Sequence, residues 1–82
     1  MNIKEEKLEE IRLIFRKVFK DDAITIDFES NSDSIKGWDS ITNILLIDSL
    51  EEKFKIEFPI EVIYESKNIG DWINYIIRAS ND

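Results

Sequence analysis

The chain lacks histidine and cysteine altogether, and its 82 residues include only one proline and two glycines. Without cysteine the chain forms no disulfide, and without either residue it lacks the ligands that most zinc sites use. The absence of histidine also excludes the nucleophile–imidazole pairs on which the common hydrolases depend. These absences argue against a hydrolase and against a structural zinc site.

Positive charge is scarce: 11 Lys and Arg stand against 18 Asp and Glu, for a formal net charge of −7. The imbalance is uneven, because residues 1–20 carry six basic and four acidic side chains, whereas residues 21–39 carry one basic and six acidic ones. A protein this acidic is a poor ligand for a phosphate backbone, so we expect no nucleic-acid partner. A basic protein surface suits it better.

Long apolar runs are also missing. No stretch approaches the roughly 20 apolar residues that a membrane span needs, and the N-terminus lacks the apolar region of a signal peptide. At this length, with 43% hydrophobic residues, the sequence predicts a single domain over residues 1–82. We expect this small polar domain to be a cytoplasmic monomer.

The spacing of apolar residues predicts one amphipathic helix over residues 3–20. Leu8, Ile11, Phe15 and Val18 recur at three- and four-residue intervals, and charged residues fill the opposite face. Burial of this apolar stripe is expected to hold the helix in place.

Three further helices are predicted in the second half of the chain. The first begins around Ser40 and ends near Lys53, and its expected core residues are Ile44, Leu46, Ile47, Leu50 and Phe54, with Ile41 partly exposed on the same stripe. A short helix follows, with Pro59 at its first helical position. Asn68 is a plausible N-cap for the last helix.

Residues 21–39 break the helical period and are rich in Ser, Asn and Asp, as in an irregular loop. Ile24, Ile26 and Phe28 alternate as in a strand, but no second strand is available to pair with them, so we expect them to anchor the loop to the core. Loops of this length in compact domains are often functional. The predicted fold is therefore all-α, with four helices, a long first loop and a short third helix.

The most informative stretch is Gly37-Trp38-Asp39-Ser40-Ile41, at the start of the second predicted helix. Asp39 is suited to be the N-cap, and Ser40 would project from the first turn beside unsatisfied backbone donors. A phosphodiester on the Ser40 oxygen would lie at a helix N-terminus, which favours anionic groups. The arrangement suits a serine that is modified rather than one that attacks, although Asp-Ser before an apolar run is also an ordinary helix start.

Together with other short blocks, this stretch makes the sequence resemble the acyl carrier protein family over nearly its whole length. The resemblance rests on an ordered set of short blocks without insertions: Asp39-Ser40-Ile41, Leu50-Glu51-Glu52-Lys53-Phe54, Ile56-Glu57-Phe58-Pro59, Ile69-Gly70-Asp71 and Tyr75-Ile76. It implies a four-helix bundle of the acyl-carrier type. It also suggests a discrete carrier from a specialised pathway.

The resemblance implies that 4′-phosphopantetheine from coenzyme A is attached to the hydroxyl of Ser40 by a phosphopantetheinyl transferase that uses Mg²⁺. The terminal thiol of this arm would hold an acyl or aminoacyl group as a thioester, so the chain would be a substrate of enzymes and not an enzyme. Asp39 would lie beside the attachment point, and Trp38 is the better of the two tryptophans for contacting the arm.

The resemblance further implies that the second helix is the surface that loading and acyl-transfer enzymes bind, through basic docking surfaces. The residues expected to take part are Ile41, Ile44, Asp48, Glu51 and Glu52, with Asp39 before them and Glu57 beyond the helix. Leu45 stands where the family often has an acid, and Asp48 where it often has an exposed apolar residue. This exchange points to a dedicated partner.

Alternative functions remain open from the sequence. One is a peptidyl or aminoacyl carrier of a nonribosomal-type pathway, and another is a small helical interaction module without any modification. A calcium-binding EF-hand loop starting at Glu29 is rejected, because Ser34 replaces the turn glycine and Ser40 replaces the closing carboxylate. A hydrolase built on Ser40 is rejected for want of a histidine and of the Gly-x-Ser-x-Gly spacing.

Overall fold

The computed structural model describes residues 2–80 and contains four helices and no strand within that range. The helices are α1 (Ile3–Phe19), α2 (Ser40–Phe54), α3 (Ile60–Glu65) and α4 (Ile69–Ser80). The all-α prediction, the long first loop and the short third helix are confirmed. Met1, Asn81 and Asp82, which the single-domain prediction included, lie outside the described residues.

The helix ends differ from the predicted ones by about one residue. Lys20 and Lys55 adopt the left-handed conformation, with φ of 54° and 57°, so α1 ends one residue earlier and α2 one residue later than predicted. Pro59 is the N-cap of α3 and not its first helical residue, because its ψ of 150° is extended. The predicted Asn68 cap is present, since its Oδ1 accepts from the Asp71 N–H at 2.9 Å.

The core is formed by one face each of α1, α2 and α4. Its fully buried large side chains are Ile11, Phe15, Leu46, Leu50, Ile69, Ile73 and Ile76. Ile44, predicted as core, is instead 61% exposed, and Phe54 is only half-buried. The expectation for Ile44 is wrong because α2 packs through the side that carries Leu46 and Leu50, which turns Ile44 away from the core.

The long loop is fastened to the core, as the sequence predicts. Ile24, Ile26 and Phe28 are half-buried against it, and the Phe28 carbonyl accepts from the Gly70 N–H at 2.7 Å. A Cβ on Gly70 would lie 2.9 Å from that carbonyl oxygen, so the close approach of loop and α4 requires glycine. This contact fixes the loop against the start of α4.

Within residues 2–80, no helix is both long enough and apolar enough to cross a membrane.

Candidate functional site

The start of α2 is fixed by a reciprocal set of hydrogen bonds between Asp39 and Thr42. Asp39 Oδ1 accepts from the N–H groups of Ile41 at 3.0 Å and Thr42 at 2.9 Å. In return, the Thr42 hydroxyl oxygen accepts from the Asp39 N–H at 2.8 Å, which completes a capping box. Gly37, with φ of +91°, provides the turn that precedes the cap.

These hydrogen bonds also set the charge of Asp39. The Thr42 N–H is the largest cause of a pKa below the ordinary value of 3.8, and partial desolvation opposes it. The Thr42 hydroxyl and the Ile41 N–H lower the pKa further. Asp39 is therefore ionised at neutral pH and holds the first turn as a carboxylate.

Ser40 is the first residue of α2 and is exposed. Free backbone donors were expected beside it, but the Asp39 carboxylate already accepts from the N–H groups of Ile41 and Thr42. Among the first three residues of α2, only Ser40 keeps a free N–H. The helix start would consequently bind a phosphodiester on Ser40 only weakly. The exposed hydroxyl fits the attachment of such a group by an external enzyme.

A cleft of about 310 Å³ lies next to Ser40. One wall is the start of α2 with the end of the long loop, and the other is formed by α3, the following linker and the start of α4. Eight of its eleven lining side chains are polar or charged. We call this space the Ser40 cleft.

Trp38 forms the part of the cleft wall that lies against the core. Its indole N–H donates to Asn43 Oδ1 at 2.9 Å. Its ring packs edge-on against Phe15, with centroids 5.2 Å apart, and tilted against Trp72, also at 5.2 Å. Both tryptophans therefore contact the core and line the cleft. Trp38 is partly buried, and Trp72 is buried.

The predicted docking residues fall into two groups. Ile41, Asp48 and Glu52 are exposed and share one side of α2, with Ile44 at its edge. Leu45, which was not among the predicted docking residues, is exposed on the same side. We call these five residues the outer face of α2.

Glu51 is separated from the outer face. Its carboxylate accepts from the Phe58 N–H at 2.8 Å and so fastens the segment after α2 to the helix. Glu57 is exposed in that segment, beyond the helix. The structure thus brings Ile41, Ile44, Asp48 and Glu52 together but gives Glu51 a contact within the fold.

Sequence reasoning missed two features of the site. The Thr42 partner of Asp39 was not recognised, although a threonine three residues after an acidic N-cap is a possible capping box. The amide side chains of Asn31, Asn43 and Asn68, which line the Ser40 cleft, were also missed. They lie on three separate segments that only the fold brings together.

Over residues 9–76 the chain matches the protein family described as phosphopantetheine attachment site. It is 35% identical over 68 residues to an acyl carrier protein of Helicobacter acinonychis, covering 83% of this chain and 87% of that protein. It is 42% identical over 55 residues to an acyl carrier protein of Clostridium acetobutylicum, covering 67% and 71%.

The fold resembles the solution structure of a holo acyl carrier protein from Geobacter metallireducens, with a TM-score of 0.81 and 36% sequence identity. The similarity covers 88% of this chain and 83% of that chain. The match therefore includes the fold as well as the sequence.

Proposed function

The chain belongs to the acyl carrier protein family, and from this premise we propose that it carries an acyl group as a thioester on a 4′-phosphopantetheine arm attached to Ser40. The supporting observation is the exposed Ser40 hydroxyl at the start of α2, directly after the capping Asp39 and within the matched residues 9–76. The chain has no cysteine, so the arm supplies the thiol that forms the thioester.

The residues of this chain have simple tasks in loading. The Ser40 oxygen forms a bond to the phosphorus that bears the pantetheine, the phosphoanhydride bond of coenzyme A breaks, and adenosine 3′,5′-bisphosphate leaves with the bridging oxygen. The Ser40 proton passes to a base of the transferase, because the hydrogen bonds that lower the pKa of Asp39 make its carboxylate a weak base. The chain thus acts as a substrate of its partner enzymes and not as a catalyst, and we propose that it is loaded in the cytoplasm, where coenzyme A is available.

The outer face of α2 is the surface that we assign to the transferase and to acyl-transfer enzymes. Ile41 and Ile44 are 70% and 61% exposed, which gives an apolar contact area beside Ser40. Asp48 and Glu52 continue the same side with negative charge. A partner with an apolar patch framed by lysine or arginine would complement this arrangement.

Intact mass spectrometry tests the assignment of Ser40. We expect incubation with coenzyme A, Mg²⁺ and a broad-specificity phosphopantetheinyl transferase to add one phosphopantetheinyl group to the wild type and none to Ser40→Ala. Ser32→Ala is the matched control, because Ser32 is also exposed and lines the same cleft, and it should load normally. A wild-type protein that stays unmodified while a control carrier loads would favour the unmodified interaction module instead.

A further inference from the structure

We propose that the Ser40 cleft is a binding site for carbonyl oxygens of the tethered group, either the amides of the arm or an oxo group of the acyl chain, and not for an aliphatic chain. This inference rests on the proposed function, because it takes Ser40 as the point of attachment. It concerns the chemistry of the cleft, which attachment alone does not determine.

The three asparagines that line the cleft have their orientation fixed by the fold. The side-chain hydrogen bonds that they make within residues 2–80 all use the amide oxygen: Asn31 accepts from the N–H groups of Asp33 and Ser34, Asn43 from the Trp38 indole, and Asn68 from the Asp71 N–H. An amide whose oxygen faces a donor presents its NH₂ group elsewhere. Each asparagine therefore retains an NH₂ group for another partner.

The cleft is consequently rich in hydrogen-bond donors. Its lining includes these three asparagines and Lys67, and their side-chain donors make no hydrogen bond within residues 2–80. Among residues 2–80, the only carboxylate in the lining is that of Asp39, and one of its oxygens is already bound by the first turn of α2. With one positive and one negative side chain the lining has no net charge, so it favours a neutral acceptor such as a carbonyl oxygen.

An aliphatic chain fits this lining poorly. Among the lining residues that the structure describes, only Trp38, Ile63 and Trp72 are apolar. An alkyl chain in the cleft would take the NH₂ groups out of water without giving them an acceptor, which is unfavourable.

Side-chain NH₂ signals in ¹H–¹⁵N spectra provide the test. The protein is compared in the apo form, in the holo form, and loaded with butyryl, acetoacetyl or octanoyl groups from the corresponding coenzyme A thioesters. Butyryl and acetoacetyl both have four carbons and differ by one oxo group. A shift of the Asn31, Asn43 and Asn68 signals between apo and holo identifies the arm as the ligand. A shift between the butyryl and acetoacetyl forms identifies the acyl group.

Asn2 and Asn74 are the internal controls. Asn2 caps α1 through its oxygen just as Asn68 caps α4, and Asn74 is exposed on α4, but neither lines the cleft. Their signals should stay unchanged. In the variant Asn31→Asp/Asn68→Asp, which keeps both accepting oxygens and removes both NH₂ groups, the shift of Asn43 should be lost. Asn2→Asp should have no such effect.

Two results would overturn the inference. One is a loaded protein whose three cleft amides stay unmoved in every form. The other is an octanoyl group that moves Ile63 and Trp72 while acetoacetyl shifts the NH₂ groups no more than butyryl does. Failure of the wild type to load at all would refute Ser40 as the attachment residue and this inference with it. Loading with unmoved amides would refute only the inference.

Discussion

Asp39 and Ser40 are neighbours in the chain, yet the structure separates what they do. The Asp39 carboxylate is held by the N–H groups of Ile41 and Thr42, whereas Ser40 stays exposed on the first turn. The capping hydrogen bonds fix the backbone from which the Ser40 hydroxyl projects towards an incoming enzyme. The same hydrogen bonds leave few backbone donors for a phosphate on Ser40, so the helix start itself would bind that phosphate only weakly.

The titration of the Asp39 carboxyl tests its role as the helix cap, and the same pKa determines how this cap contributes to stability at different pH. Its pKa lies below the ordinary 3.8 chiefly because of the Thr42 N–H, so its contribution is fully present above that value and is lost as the pH falls through the lower, folded-state pKa. A carbon-13 titration of the Asp39 carboxyl should give a midpoint below 3.8. Thr42→Val should raise the midpoint only part of the way, since the backbone N–H remains. A midpoint at or above the ordinary value would contradict the capping role.

The cap at Asp39 was predictable from sequence because an acid before an apolar run is a local signal. The contact of Glu51 with Phe58 was not, because it depends on the left-handed turn at Lys55, which brings Phe58 back to the helix. No pattern of residue types marks a lysine in that conformation. Local sequence signals were therefore sufficient to predict the positions of Ser40 and Asp39 at the helix start, and insufficient to predict the contact of Glu51.

At the level of elements, α2 has two apolar sides with different uses. A helix has 3.6 residues per turn, so side chains spaced by three residues shift gradually around it. Four apolar residues of α2 have this spacing: Ile41, Ile44, Ile47 and Leu50. The stripe therefore leaves the core as it approaches Ser40. The sequence predicts the helix correctly, but which part of the stripe is buried depends on how α1 and α4 pack against it.

Matched alanine substitutions on α2 distinguish the two sides. Leu50→Ala removes a fully buried side chain and should lower the free energy of unfolding by about 2–5 kcal/mol. Ile44→Ala removes an exposed one and should change it by less than about 0.5 kcal/mol. Urea denaturation measures both. Similar losses in the two variants would mean that Ile44 is packed and unavailable to partners.

Glu51 and Glu52 are adjacent on α2, and substitutions at these two positions distinguish an effect on partner docking from an effect on stability. Glu52 is exposed on the outer face, so Glu52→Lys should slow loading by the transferase severalfold at low salt without changing stability. Glu51 accepts from the Phe58 N–H, so Glu51→Lys should lower the free energy of unfolding by about 1–2 kcal/mol, and Glu51→Gln should recover part of it. Loading assays and urea denaturation are the measurements. An unchanged loading rate in Glu52→Lys would show that the outer face of α2 is not part of the docking surface.

In the whole molecule, aromatic side chains connect the site to the core. Trp38 packs against Phe15 of α1 and Trp72 of α4, and Trp72 packs in turn against Phe58. The wall of the Ser40 cleft is thus continuous with the interior, although its lining is mainly polar. Helix periods in the sequence predict the four helices, but they carry no information on which loop residues meet across the cleft. For that reason Asn31, Asn43 and Asn68 emerged only from the fold.

The overall charge of the molecule predicts that the rate of loading depends on salt. With a net charge of −7, the molecule should attract a basic transferase over roughly the Debye length, about 10 Å at 0.1 M salt. The kcat/KM of loading should therefore fall as sodium chloride is raised from 0.02 to about 0.5 M, while kcat changes little, because screening slows encounter and not the chemical step. Glu52→Lys should show a shallower salt dependence, and its rate should approach that of the wild type at high salt. A rate independent of salt would show that apolar contacts through Ile41 and Ile44, and not charge, determine the association.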